Sequence, residues 1–219
     1  MWELVKKDLL LEWRTREVLA AVLLMGVLTL LVLSFAFDPT SPQRTSAAPG
    51  AFWVAFLFAA VYGFGRAFAP DERNDAWQGL LLSPLDRGTL YLAKVTSTLV
   101  YLLVAAATLI VLFVVLFDVE LTAACWPWFV ATGLAALGLS ALGTIFSAVS
   151  IRTRAREIML PLLLLPLVVP LFLGGVEVTQ RSLQGQALGD AVAWLHLMVG
   201  FDIAALVVAW LLFEYVVEQ

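Results

Sequence analysis

Six stretches of this chain are each long enough and apolar enough to cross a bilayer as a helix, and they leave little sequence for anything else. A hydrocarbon core about 30 Å thick takes roughly 20 apolar residues in helical form. Residues 18–37, 95–117, 121–151 and 158–176 meet that requirement without a charge. Residues 51–68 span if Arg66 snorkels toward the headgroups, and residues 191–213 span with one acid, Asp202, inside them. With 62% hydrophobic and 14% charged residues, the composition lies far from that of a soluble domain. The expectation is an all-α integral membrane protein with six transmembrane helices, residues 1–219 forming one membrane domain.

Basic residues orient it. Lys6, Lys7, Arg14 and Arg16 precede the first span, Arg66, Arg73, Arg87 and Lys94 flank the second connection, and Arg152, Arg154 and Arg156 lie in the fourth. The opposite connections hold only Arg44 and Arg181. By the positive-inside rule both termini are expected in the cytoplasm. Trp53, Trp126, Trp128 and Trp194 lie where helices are expected to enter from the outer face, and Trp210 near the inner end of the last, as an interfacial aromatic belt would have them. The first apolar run is too long for a cleaved signal and is expected to stay as an anchor. The net charge of −4 offers no basic surface to nucleic acid. A lone Cys125 builds neither a disulfide nor a thiolate metal cluster.

Ahead of the first span, Trp2, Leu4, Val5, Leu9, Leu10 and Trp13 interleave with charged residues at roughly helical spacing. That predicts an amphipathic helix (1–17) lying in the inner interface, the alternative being a solvated leader continuous with the first span. A second short amphipathic helix is predicted over 70–85. Pro70, Asp71 and Glu72 suit a helix start and Ser83-Pro84 a stop, while Trp77, Leu80 and Leu81 form an i, i+3, i+4 knob for a groove on another protein. A plain connector resting on the bilayer is the competing reading.

Inside the spans the polar residues are few. Asp202 is expected to face protein or water and to need a partner, as a relay or gating contact or as a packing hydrogen bond. His196 is the sole histidine; with nearby Met198 it is a formal haem ligand, though i, i+2 residues do not share a helix face and a packing role is simpler. Trp126 and Trp128 offer rings to a porphyrin, or simply to the aromatic belt. Ala136, Ser140, Thr144 and Ala148 repeat every fourth residue, the pattern that lets helices approach closely. Pro161, Pro166 and Pro170, followed by Gly174-Gly175, predict a kink or break in the fifth span, which lines a subunit interface or conduit or else is a kinked packing helix. No Gly-x-x-x-x-Gly-Lys-Ser/Thr loop is present to cradle nucleotide phosphates.

The run from Glu72 through Leu80 to Pro84, with Arg87 and Lys94, resembles the coupling segment of ABC-2-type transporter permeases. Pro49-Gly50-Ala51-Phe52-Trp53-Val54-Ala55, Arg66-Ala67-Phe68, the proline-punctuated stretch from Leu160 to Pro170 and the tail Leu211-Leu212-Phe213-Glu214-Tyr215 look like the haem exporter protein B family, CcmB, of bacterial cytochrome c maturation. The resemblance runs nearly end to end. One departure is Asp75-Ala76-Trp77-Gln78-Gly79-Leu80, where the family usually carries an acid at the position of Gln78, so Asp75 or Glu72 would have to replace its charge.

The resemblance implies a non-enzymatic permease subunit of the inner membrane, acting as a homodimer with a CcmA-like ATPase subunit that carries ATP and Mg²⁺. It also implies CcmC-like and CcmD-like membrane partners and a CcmE-like periplasmic haem chaperone, with haem as the handled ligand and no cofactor or metal resident in this chain. The ATPase contact would be Glu72, Asp75, Trp77, Gln78, Leu80, Leu81 and Pro84, together with Arg152, Arg154 and Arg156. Alternatives are an export permease for a glycan, lipid or drug, and a non-transporting membrane scaffold.

Overall fold

The computed structural model describes residues 2–38, 41–67, 86–150, 156–186 and 188–218. Among these are seven α-helices, one short 3-10 turn and no strand. They are α1 (Trp2–Thr15), α2 (Glu17–Ala36), α3 (Pro42–Ala67), α4 (Arg87–Phe117), α5 (Trp126–Ser150, preceded by the turn Ala123–Cys125), α6 (Arg156–Leu183) and α7 (Leu188–Glu218). The six helices after α1 are long and apolar enough to cross a membrane.

Several helices outrun their apolar cores. Helix α3 starts at Pro42 rather than at 51, and α4 at Arg87 rather than at 95, because helical hydrogen bonding continues into polar sequence once the apolar part is anchored. The N-terminus of α4 is capped by Asp86, whose carboxylate accepts from the Thr89 amide at 3.3 Å. Helix α6 is continuous from Arg156 to Leu183 through all three prolines and Gly174-Gly175, so the helix does not break there. Pro166 and Pro170 lie on its exposed side.

Helix α5 is the centre of the bundle and touches α3, α4, α6 and α7. Ala136, Ser140, Thr144 and Ala148 are all buried, so the four-residue stripe of small side chains is the surface on which the neighbours pack. Lipid tails are as apolar as leucine, so close packing and hydrogen bonds, rather than escape from water, hold such helices together. Here Tyr91 donates to the Ala141 carbonyl at 3.1 Å, and Ser147 donates to the Phe64 carbonyl at 3.1 Å. Around the outside, Leu24, Leu28 and Val32 on α2 and Ile203, Val207 and Leu211 on α7 are exposed, as lipid-facing residues must be.

The tryptophans depart from the predicted belt. Trp53 and Trp128 are fully buried, because the early start of α3 puts Trp53 in its fourth turn and the first turn of α5 aims Trp128 inward. Trp126 and Trp210 are exposed. Trp128 meets Phe52 at 5.2 Å and Phe113 at 5.4 Å between ring centroids, both edge-on, while Trp53 meets Phe52 at 5.6 Å and Phe172 at 5.4 Å. Each such pair adds about 0.5–1.5 kcal/mol beyond burial.

Candidate functional site

Three places carry polar groups where an apolar bundle should have none. The first is the corner made by α1. This helix is separate from α2, the two being divided by Arg16 with φ 56°, in the left-handed region. Its inward side is Val5, Asp8 and Glu12, while Trp2 and Leu10 face out. The reason is charge. Lys94, two turns into α4 and buried, requires a counter-ion, and Asp8 supplies it at 2.8 Å. Asp8 also pairs with Lys7 at 3.3 Å, and its carbonyl accepts from the Tyr101 hydroxyl at 3.2 Å. Glu12 accepts from the Leu19 amide at 2.6 Å, which would otherwise be an orphan donor at the N-terminus of α2. Burial pushes the Glu12 carboxyl above the usual carboxylate range, with the amide bonds from Leu19 and Val18 working against it.

The second is the far end of the bundle, beside the aromatic cluster. The Trp53 indole N–H donates to Thr179 Oγ1 at 2.9 Å, and Thr179 donates to the Gly175 carbonyl at 2.7 Å. A Cβ on Gly175 would collide with the Trp53 ring, so glycine there is a seat for the indole. Arg44 donates to the Leu116 carbonyl and lies 5.4 Å above Phe117, placing a cation at the C-terminus of α4 where the helix dipole favours it.

The third is mid-membrane. Asp202 on α7 is only 2% exposed, and neither carboxylate oxygen has a hydrogen-bond partner among the described residues. It lies over Gly138 of α5, where an added Cβ would collide with Oδ1 and would come within 3.0 Å of Leu171 on α6. Three helices thus meet at one unpaired acid, at a point where α5 has no side chain. The sequence shows Asp202 at once. Gly138 and the Asp8–Lys94 pair have no sequence signal of their own, since each needs a partner distant along the chain.

The other predicted residues fall apart from one another. His196 is exposed, whereas Met198 is buried, its Cγ lying 3.0 Å from where a Cβ on Gly174 would be, so the two point to different sides of α7. Trp126 is exposed and Trp128 buried, so these rings do not form a common stacking surface. Among the described residues no three His, Cys, Asp or Glu side chains gather as a metal site. Glu72, Asp75, Trp77, Gln78, Leu80, Leu81, Pro84, Arg152 and Arg154 lie outside the described residues, and Arg156 opens α6.

Comparison with known proteins adds a family. The family described as CcmB protein matches residues 1–218. Heme exporter protein B of Pseudomonas aeruginosa is 29% identical over 195 residues, covering 88% of this chain and 86% of the relative. Heme exporter protein B of Paracoccus denitrificans is 28% identical over 211 residues, covering 95% and 94%. That of Rhodobacter capsulatus is 28% identical over 200 residues, covering 89% of each.

Proposed function

The chain belongs to the CcmB protein family, and on that premise we propose that it is the permease subunit of an ABC transporter complex in c-type cytochrome biogenesis. It couples ATP hydrolysis by a separate ATPase subunit to haem export or to release of a haem-loaded periplasmic chaperone. The observation that carries this reading is the family match over residues 1–218, joined to six apolar helices of spanning length. In this reading the chain is a multi-pass inner-membrane protein with both termini inside. It acts as a homodimer with the proline-bearing side of α6 toward its copy, alongside CcmA-like, CcmC-like, CcmD-like and CcmE-like partners.

Force enters at the connection between α3 and α4. Helix α3 ends at Ala67 and α4 begins at Arg87, so an ATPase that grips the intervening segment through Trp77, Leu80 and Leu81 pulls on both helices together. In this reading Glu72, Asp75, Gln78 and Pro84 belong to that contact, together with Arg152, Arg154 and Arg156. Helix α4 carries α1 with it through the Asp8–Lys94 pair. In mid-membrane, Asp202 supplies the bias between two arrangements. An unpaired acid at that depth costs about 2.5–3.5 kcal/mol on insertion scales, so a second packing of α5, α6 and α7 that gave it a partner would recover part of this cost.

The test is co-purification with the ATPase subunit, comparing wild type with the double variant Trp77→Ala, Leu80→Ala while following ATP hydrolysis and haem absorbance. The reading expects the variant to lose the ATPase or to hydrolyse ATP without coupling. A variant that binds and hydrolyses like wild type would move the contact elsewhere. An intact complex that never handles haem would point to export of another substrate.

A further inference from the structure

Helix α1 sorts its charges by side. Both charged residues on its inward face, Asp8 and Glu12, are acids, and both are spent within the fold, on Lys94 and on the Leu19 amide. The outward face keeps the bases. Trp2, Lys6, Leu10 and Arg14, at successive steps of four residues, form one exposed ridge of alternating apolar and basic side chains, with Trp2 64% and Leu10 65% exposed. Residues four apart are neighbours on a helix surface, so this ridge is continuous. Glu3 and Glu17 also face outward, against Lys6, Lys7, Arg14 and Arg16.

The position of α1 along the bundle says what covers that ridge. Helix α4 has 31 residues; at 1.5 Å each it is ~46 Å long, about 16 Å more than a hydrocarbon core. The charges Arg87 and Lys94 lie in its first turns and residues 95–117 carry none, so the excess falls at the N-terminal end and equals roughly the first ten residues of α4. It is there that α1 packs, with Leu4 against the cluster of Leu90, Tyr91 and Val95, and Asp8 on Lys94. So α1 lies at headgroup depth, where tryptophan and leucine enter the acyl boundary while lysine and arginine stay at the phosphates.

We infer that the Trp2–Lys6–Leu10–Arg14 ridge is a binding surface for anionic phospholipid, held against the bilayer by the acids that tie the other side of α1 to α4 and α2. The inference needs only that the six helices span a bilayer and is independent of the haem reading. A zwitterionic headgroup offers the ridge no net charge, and an anionic one complements Lys6 and Arg14 directly. Through the Asp8–Lys94 pair, lipid held there also positions the first turns of α4.

The experiment places a bimane fluorophore on Leu10→Cys in the full-length protein, with the buried Cys125 left unlabelled. The protein is embedded in nanodiscs of phosphatidylcholine containing about 30% phosphatidylglycerol, with a nitroxide quencher high on the acyl chain of one lipid or the other. Quenching per quencher is expected to be at least about twofold greater from phosphatidylglycerol. The double variant Lys6→Gln, Arg14→Gln should bring that ratio to one, and Lys6→Arg should preserve it. Equal quenching by both lipids in the wild-type background overturns the anionic preference. Absence of quenching by either means that the ridge does not lie against lipid, and overturns the lipid assignment altogether.

Discussion

The two ends of the bundle are held by different means. At the end where α3 begins and α4 finishes, Phe52, Trp53, Phe113 and Trp128 interlock, and the only hydrogen bond joining Trp53 to α6 among the described contacts runs to Thr179. At the end carrying α1, the join is an ion pair between Asp8 and Lys94, a tyrosine hydroxyl on a carbonyl and a glutamate on the amide of Leu19 in the first turn of α2. The first end relies on shape and tolerates little displacement. The second relies on charge near the headgroups, where water and lipid phosphate can replace a broken contact, so it is the end at which movement costs less.

Disturbing shape should hurt most. Gly175→Leu forces a side chain into the Trp53 ring and should cost about 3 kcal/mol or more, the upper end of overpacking, seen as a large fall in thermal unfolding temperature in nanodiscs. A variant that melts like wild type would mean that the aromatic end yields, and the contrast between the ends would vanish. Breaking the charge should cost less. Asp8→Ala leaves Lys94 without its carboxylate and should release α1 at about 2 kcal/mol, below the ~3–5 kcal/mol of a deeply buried pair because the lysine can reach the headgroups. Hydrogen exchange over α1 and α2 should rise while α5 stays protected, and Lys94→Met added to Asp8→Ala should restore part of the loss. Loosening spread evenly over the bundle would contradict a local latch.

The smallest effect concerns pH. The folded carboxyl of Glu12 is raised above its unfolded value of about 4.5 by burial. Its contribution is therefore fully present below that unfolded value and declines as pH rises through the folded one. The α1–α2 corner should open more readily at alkaline than at mildly acidic pH, read as exchange of the Leu19 amide corrected for its intrinsic pH dependence. Glu12→Gln should flatten the slope; a slope unchanged in that variant would assign it to another group.

Helix number, helix type and a membrane setting were legible without coordinates, because a run of about 20 uncharged apolar residues has few other stable destinations. The stripe from Ala136 to Ala148 was equally legible as packing, since its period is local. The buried tryptophans were not, because the same residue suits a headgroup belt and a core, and the start of α3 at Pro42 decided between them. Nor was the inward side of α1, because the need of Lys94 for a counter-ion, some 90 residues away along the chain, leaves no trace in the spacing of α1 itself. Asp202 stood out in the sequence as an acid out of place, but its seat on Gly138 did not.

The sequence by itself determined the spans, the excess of bases on alternate connections and the resemblance carried by its motifs, all of which are properties of single segments. Only the tertiary structure decided which side of each helix faces its neighbours and which polar groups are matched, leaving Asp202 without a partner among the described residues and α1 with its bases outward. The physical reason is that transfer into a bilayer is summed residue by residue, whereas packing and charge pairing depend on what another helix presents at the same depth.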